Sequence, residues 1–235
     1  MVDLLAIAAH PDDVEQTCGG TLLKMAEAGY RTGILDLTAG EMGSRGTPET
    51  RIQESERAAA ILKVSHRANM RFPDTKLINW VEYRERLALD IRKLQPRTVI
   101  LPYWQARHPD HYHAAEIAFD ACFLAGLKKL DPVSHPGRPF NVIYSSMYAN
   151  VTPSFVVDIT REFDRRMESL LAYGSQYGAT SDAADLFPQE TEIRERLAGI
   201  ARFYGNLIGV KYGEPFVVRE TMRVDDVVAM GVRSF

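Results

Sequence analysis

Several things are scarce in this chain, and each scarcity narrows what it can be. Of 235 residues only two are cysteine, Cys18 and Cys122. They lie far apart and outside any Cys-x-x-Cys pattern, so neither a disulfide framework nor a thiolate metal centre is expected, and both read as small buried hydrophobes. Charge of one sign is not in excess: 28 Lys and Arg against 31 Asp and Glu leave a formal net charge of −3. With no Lys/Arg run either, partners of the nucleic-acid or anionic-membrane kind are not expected. No apolar stretch approaches the roughly 20 residues needed to cross a bilayer. The opening MVDLLAIAAH lacks the basic region of a secretion signal, so a cytoplasmic location is the expectation. Internal repeats, low-complexity tracts and Pro/Ser linkers are also missing, and residues 1–235 read as a single domain.

With 46% hydrophobic residues, a chain of this length can bury a substantial core. Short apolar runs at Leu4–Ala9, Arg31–Thr38, Asn69–Phe72 and Thr98–Tyr103 read as strands. Between them fall helical patterns at about Gly20–Ala28, Arg51–Lys63, Val81–Leu94 and His111–Leu130. Asn141–Tyr148 and Ser154–Ile159 supply further strands. The alternation predicts an α/β fold, a Rossmann-like, mostly parallel sheet with helices on both faces, over about residues 1–160. A less regular C-terminal extension, about 161–235, reads as helices at Arg161–Tyr173 and Glu190–Ile208, then a peripheral strand at Phe216–Val224. The Gly/Ser/Asp-rich GSQYGATSDAADLFP separates the two helices.

Two polar clusters stand where strands end, the place at which open parallel sheets bind ligands. His10, Asp12 and Asp13 follow the first strand in AHPDDVE; His108, Asp110 and His111 follow the fourth in RHPDH. HPDD alone reads as a capped helix start, because Pro suits the first turn and carboxylates gain from the dipole there, whereas HPDH alone is open equally to that reading and to a functional one. Two His-Pro-Asp stretches at one sheet edge point instead to a divided metal site. His10, a carboxylate from Asp12 or Asp13, and His108 or His111 make a two-histidine, one-carboxylate set with a position open for water. The other aspartate then serves as base, and the second histidine, oriented by Asp110, stabilises an oxyanion or protonates a leaving amine. That is equipment for hydrolysing an amide.

Two rivals fit less well. The first strand–helix turn has no Gly-x-Gly-x-x-Gly, and Gly19-Gly20 reads as close helix packing rather than a dinucleotide site. His108-x-Asp110 with the distant His135 matches the iron triad of non-haem oxygenases, but that leaves His10, Asp12 and Asp13 unexplained. His66 and His135 read as surface loop residues, and His113 as a helix neighbour.

AHPDDVE at 9–15, GEMGSRGTPETR at 40–51, FPD at 72–74 and RHPDH at 107–111 together resemble the LmbE/PIG-L family of zinc-dependent N-acetylglucosaminyl deacetylases. SQY at 175–177 and YGNLIGVKYGEPF at 204–216 resemble its bacillithiol-pathway branch, which deacetylates N-acetylglucosaminyl malate. The resemblance implies one Zn2+ per chain, with Fe2+ and other divalent ions as alternatives, held by His10, Asp13 and His111. It implies Asp12 as general base, His108 at the oxyanion and leaving amine, and Asp110 orienting His108. Arg51, Asp74, Glu41 and Arg107 would contact a small-molecule substrate, and relatives imply a homo-oligomer. Ala106 stands where mycothiol-pathway relatives place a tyrosine, and GATSDAADLFPQET departs from the bacillithiol branch. The expected activity is removal of acetyl from an N-acetylglucosamine glycoside, foremost the malate conjugate, with an inositol conjugate or chitooligosaccharide as alternatives. A non-catalytic metal- or sugar-binding module is the alternative of another class.

Overall fold

A computed structural model describes residues 1–146, 150–178 and 190–232. The first strand, β1 (Leu4–Ala8), is buried along its whole length, as is β2 (Thr32–Thr38). Leu5 and Ile7 face one core with Leu35 and Leu37, while Leu4, Ala6 and Ala8 face another with Val14, Leu22 and Ile34. Strand side chains alternate in direction, so a run that is apolar at every position must be covered on both faces. Between these strands lie α1 (Asp13–Thr17) and α2 (Gly19–Glu27). The chain continues through α3 (Pro48–Ile61), β3 (His66–Phe72), α4 (Val81–Leu94), β4 (Thr98–Pro102) and α5 (Pro109–Ala125). Helices α4 and α5 close the first face, where Leu87, Ile91, Ile117 and Ala121 meet β1 and β2.

Beyond these come β5 (Asn141–Ser145), β6 (Phe155–Asp158), α6 (Phe163–Leu171), α7 (Gly174–Tyr177), α8 (Glu190–Asn206) and β7 (Gly213–Val217). The seven-stranded sheet has the order β3-β2-β1-β4-β5-β7-β6. Strands β1 to β5 pair in parallel, whereas β7 runs antiparallel to both neighbours. The molecule is thus α/β with a mostly parallel sheet. Strand order reverses between β1 and β4, and the crevice outside the carboxyl ends at such a point is where these sheets take ligands.

Several boundaries differ from expectation. The last strand is not peripheral: β7 spans Gly213–Val217 and lies between β5 and β6. Tyr-Gly-Glu-Pro reads locally as a turn, but pairing with two strands makes it extended. Helix α3 starts three residues early because Thr47 caps it, its hydroxyl accepting from Thr50 N–H at 3.2 Å, with Pro48 in the first turn. Helix α5 likewise starts at Pro109 and ends at Ala125, before Gly126. Part of the GSQY stretch, read as a separator, forms α7. The expected strand at 141–148 ends at Ser145, and 147–149 lie outside the described residues, as do 179–189 of the Gly/Ser/Asp-rich segment. His66 opens β3 and is half-buried rather than in a surface loop. Gly20 does mark close packing: a Cβ there would come 2.9 Å from Glu214 Oε1 and 3.0 Å from Ile159.

Candidate active site

The turn after β1 is held in an uncommon shape. Asp12 has φ 97°, a region that side-chain-bearing residues seldom enter, and its carboxylate makes no capping bond to α1. Asp13 instead closes the turn back toward β1, its Oδ2 accepting the main-chain N–H of His10 at 3.0 Å. Neither aspartate caps α1, so the capped-helix reading fails at this turn, and the strained Asp12 directs its carboxylate elsewhere. Across the switch point, His108 caps α5 through its ring: Nδ1 accepts from Asp110 N–H at 3.2 Å.

These two turns meet. The His10, His108 and His111 rings form a triangle with centroids 4.9, 5.3 and 5.2 Å apart. Asp13 sits between two of them, with Oδ1 3.2 Å from His111 Nε2 and Oδ2 3.5 Å from His10 Nδ1. The other nitrogen of His10, Nε2, faces Asp74 at 3.1 Å and Asp110 at 3.3 Å. One imidazole thus joins two sets of carboxylates. The carboxylate of Asp110 is directed there and to the N–H groups of Thr75 (2.7 Å) and Leu77 (3.4 Å). Its contact with His108 runs through the main chain, so the expected side-chain orientation of His108 by Asp110 is replaced by a backbone one.

Asp12 is buried in a cage of its own. Arg51 donates to Oδ1 at 3.2 Å, and Tyr177 O–H (2.6 Å) and Gln16 Nε2 (3.4 Å) donate to Oδ2. Arg51 also donates to the carbonyls of Pro11 and Gly40. Gly40, at φ +68°, makes room for it, since a Cβ would fall 1.8 Å from its Nη1. Arg51, expected to meet substrate, is thus turned inward onto Asp12. Asp74 accepts from Met42 N–H at 2.9 Å and donates its own N–H to Glu41 at 2.7 Å, which ties the 40–46 loop to His10. Arg107 is exposed on the loop before α5. His113 pairs with Glu116 one turn along α5. His135 is exposed, and its carbonyl accepts from Gln95 beyond the end of α4, at the opposite edge of the sheet from His108. The iron-triad pattern is therefore not assembled.

The electrostatics follow from burial and partners. Burial pushes Asp12 up to about 6, against the lowering effect of Arg51. Burial also opposes the charge of Asp13, but His111 and His10 hold it well below the usual carboxylate range. His10 is raised despite its burial by Asp110, Asp13 and Asp74, and His111 is raised by Asp13 against the same burial. His108 is lowered by burial and by the neighbouring His10 and His111. Four carboxylates around three imidazoles make a site in which cations are favoured. His10, Asp13 and His111 each present a ligand atom within 4.8 Å of the others, so the donor set fits a divalent cation. His10, His108 and Asp110 lie as close, but His10 Nε2 is there engaged by carboxylates that orient the ring, as partners of a metal-binding imidazole do.

Tyr177, Gln16 and the amides of Thr75 and Leu77 were not foreseen at the site. SQY stood out as a motif, yet nothing local tied Tyr177 to an aspartate 165 positions away. It arrives because Glu54 of α3 accepts from Ser175 N–H (2.7 Å) and Oγ (2.6 Å), anchoring α7 over Asp12.

A parallel sheet with histidines and carboxylates gathered at its switch point is laid out for cation-assisted enzyme chemistry. Comparison with known proteins makes the class specific. Residues 5–122 match the family model for PIG-L, GlcNAc-PI de-N-acetylase. Diacetylchitobiose deacetylase of Thermococcus kodakarensis is 30% identical over 90% of this chain and 80% of its own. A probable N-acetyl-alpha-D-glucosaminyl L-malate deacetylase of Bacillus anthracis is 28% identical over 74% of this chain and 81% of its own. Among solved structures, a conserved protein of Thermus thermophilus is 40% identical, superposes with a TM-score of 0.86, and covers 96% of this chain and 98% of its own. The chain belongs to the PIG-L family and is an N-deacetylase. The non-catalytic alternative is thereby set aside.

Proposed function

We propose that the protein removes the acetyl group from an N-acetylglucosamine glycoside. The observation that carries this reading is the pairing of a cation-ready set, His10, Asp13 and His111, with a separately caged buried carboxylate, Asp12. A bound divalent ion, which we take as Zn2+ with Fe2+ as the alternative, would polarise the acetamide carbonyl and acidify a water. Asp12 receives the proton of the attacking water, and its elevated proton affinity suits a base working near neutral pH. His108 accepts a main-chain N–H at Nδ1, so its neutral form carries the proton on Nε2 and presents it as a donor. That N–H stabilises the oxyanion as the C–O bond forms. When the C–N bond breaks, the proton passes to the amine, and acetate and a free glucosamine leave. Asp74 and Asp110 keep His10 in orientation.

Among glycosides, we place a neutral chitooligosaccharide-type substrate ahead of the malate conjugate. Support comes from the Thermococcus relative and from Arg51, whose Nη1 and Nη2 are directed to Asp12 and two carbonyls rather than to an acidic aglycone. The malate reading keeps the Bacillus relative and the exposed Arg107 in its favour. Amine release from diacetylchitobiose, the malate conjugate, the inositol conjugate and free N-acetylglucosamine decides the matter. Highest kcat/KM on diacetylchitobiose is expected; preference for malate reverses the order, and no release from any of the four removes the proposal. With this reading go a cytoplasmic location, in keeping with two free buried cysteines, and a homo-oligomer, in keeping with exposed Met222, Val227, Val228 and Val232.

A further inference from the structure

A recess opens beside the Asp13–His111 pair and runs between α1 and the carboxyl ends of β1, β4 and β5. Its mouth is formed by Tyr103 and Gln105, on the side where the loop to His108 is exposed. Its inner end is blind and made of small or apolar groups: Ala8, Val14, Cys18 and Ile100, each 3% exposed or less. Its wall carries few polar groups: Thr17, whose O–H donates to the carbonyl of Asp13 at 2.9 Å, and the buried Ser145 and Ser146, Ser145 lying against Cys18. A sugar ring pushed inward would lose the hydration of several hydroxyls against only a few hydroxyl partners, at a cost that a methyl group does not incur. The amide carbon must sit beside Asp13, His111 and Asp12. An N-acyl sugar therefore has one orientation open to it, with the sugar toward the mouth and the acyl tail toward the blind end.

We propose that this recess receives the acyl group being removed and restricts it to acetyl, with Val14, Cys18 and Ala8 setting the length limit. The inference rests on the deacetylase reading above and adds to it which chain-length class is hydrolysed and which residues select it. An added methylene in a closed apolar pocket changes discrimination by roughly 10-fold or more. The cluster around the recess also contains Leu22, Ile34 and Phe216 behind its floor, so the floor cannot yield cheaply to a longer tail.

The test uses the metal-loaded full chain and the methyl glycosides of N-acetyl-, N-propionyl- and N-butyryl-glucosamine, with free amine as the readout. Wild type is expected to lose about 10-fold in kcat/KM from acetyl to propionyl and again to butyryl. Val14→Ala should shrink the acetyl-to-propionyl ratio about 10-fold. Because that ratio is internal to one preparation, partial unfolding does not move it. Ala8→Val, which fills the recess, should lower acetyl turnover by at least 10-fold with the bound metal unchanged. Acetyl and butyryl hydrolysed within about threefold of each other by wild type, or an unmoved ratio in Val14→Ala together with normal turnover in Ala8→Val, overturns the inference while leaving the deacetylase reading intact. No amine from any of the three substrates overturns both.

Discussion

At the scale of single residues, the site divides labour among carboxylates that look alike in sequence. Asp12 and Asp13 are adjacent, yet the positive φ of Asp12 turns it away from the turn that Asp13 closes. Asp13 goes to two imidazoles and Asp12 to Arg51, Tyr177 and Gln16. Asp12→Asn is isosteric and leaves His10, Asp13 and His111 untouched. It should lower kcat by about 10²- to 10⁴-fold, the usual contribution of a positioned base, with metal content by mass analysis unaltered. Near-normal turnover would remove Asp12 from the base role. Tyr177→Phe is a subtler change. The Tyr177 hydrogen bond lowers the proton affinity of Asp12, so its loss raises it. A base must be unprotonated to act, so the acid limb of the kcat/KM profile should move to higher pH by about one unit, with the plateau at high pH retained. A limb that stays in place would show that the profile belongs to another group.

At the scale of elements, the break between α1 and α2 is held by a fully buried ion pair from the C-terminal third of the chain. Arg166 of α6 donates to the carbonyls of Glu15 and Gln16, where α1 ends, and lies 3.3 Å from Glu214 of β7. Glu214 accepts the N–H groups of Gly20 and Thr21, where α2 begins. Burial pushes Glu214 up while Arg166 pulls it down, so removing the arginine leaves a buried carboxylate with its main counter-charge gone. Arg166→Met should cost about 3–5 kcal/mol, seen as a lower denaturant midpoint. Glu214→Gln in that background should recover part of the loss by removing the unpaired charge, while keeping one of the two accepting oxygens. If the double variant is no more stable than the single one, the pair is not electrostatically coupled. The parallel core elements were legible in sequence because short apolar runs alternate with helical patterns. Strand β7 and helix α7 were not, because Gly213, Pro215 and Gly174 carry local turn signals that pairing and anchoring override.

Across the whole molecule, a cation held by His10, Asp13 and His111 would join the two sides of the switch point. Such an ion binds the folded chain and not the unfolded one, so it stabilises by mass action, about 2.7 kcal/mol at a free concentration 100 times Kd. Chelation should therefore lower the melting temperature, and Zn2+ should restore it. His10 and His111 have raised proton affinity without the ion. Each proton they hold must leave before the nitrogen can bind metal. Binding should release protons near neutral pH, and affinity should fall as pH falls. Calorimetry in buffers of different ionisation enthalpy measures this directly, and a net proton count of zero would contradict the assignment of both imidazoles. No helix among the described residues is long and apolar enough to cross a membrane.

The sequence by itself determined that strands and helices alternate, and that two His-Pro-Asp turns end β1 and β4. It also placed both turns at one edge of the sheet, since parallel strands end on the same side; that they meet follows from the adjacency of β1 and β4. What only the tertiary structure decided is the allocation of partners within the site. Asp110 reaches His10 across 100 positions and Tyr177 reaches Asp12 across 165. Arg51, read as a substrate contact, lies against Asp12, and Gly40 leaves it room. Local periodicity carries the path of the backbone, since it reflects which face of each element must be buried. Hydrogen bonds between distant side chains depend on how those faces pack, and spacing along the chain holds no record of that.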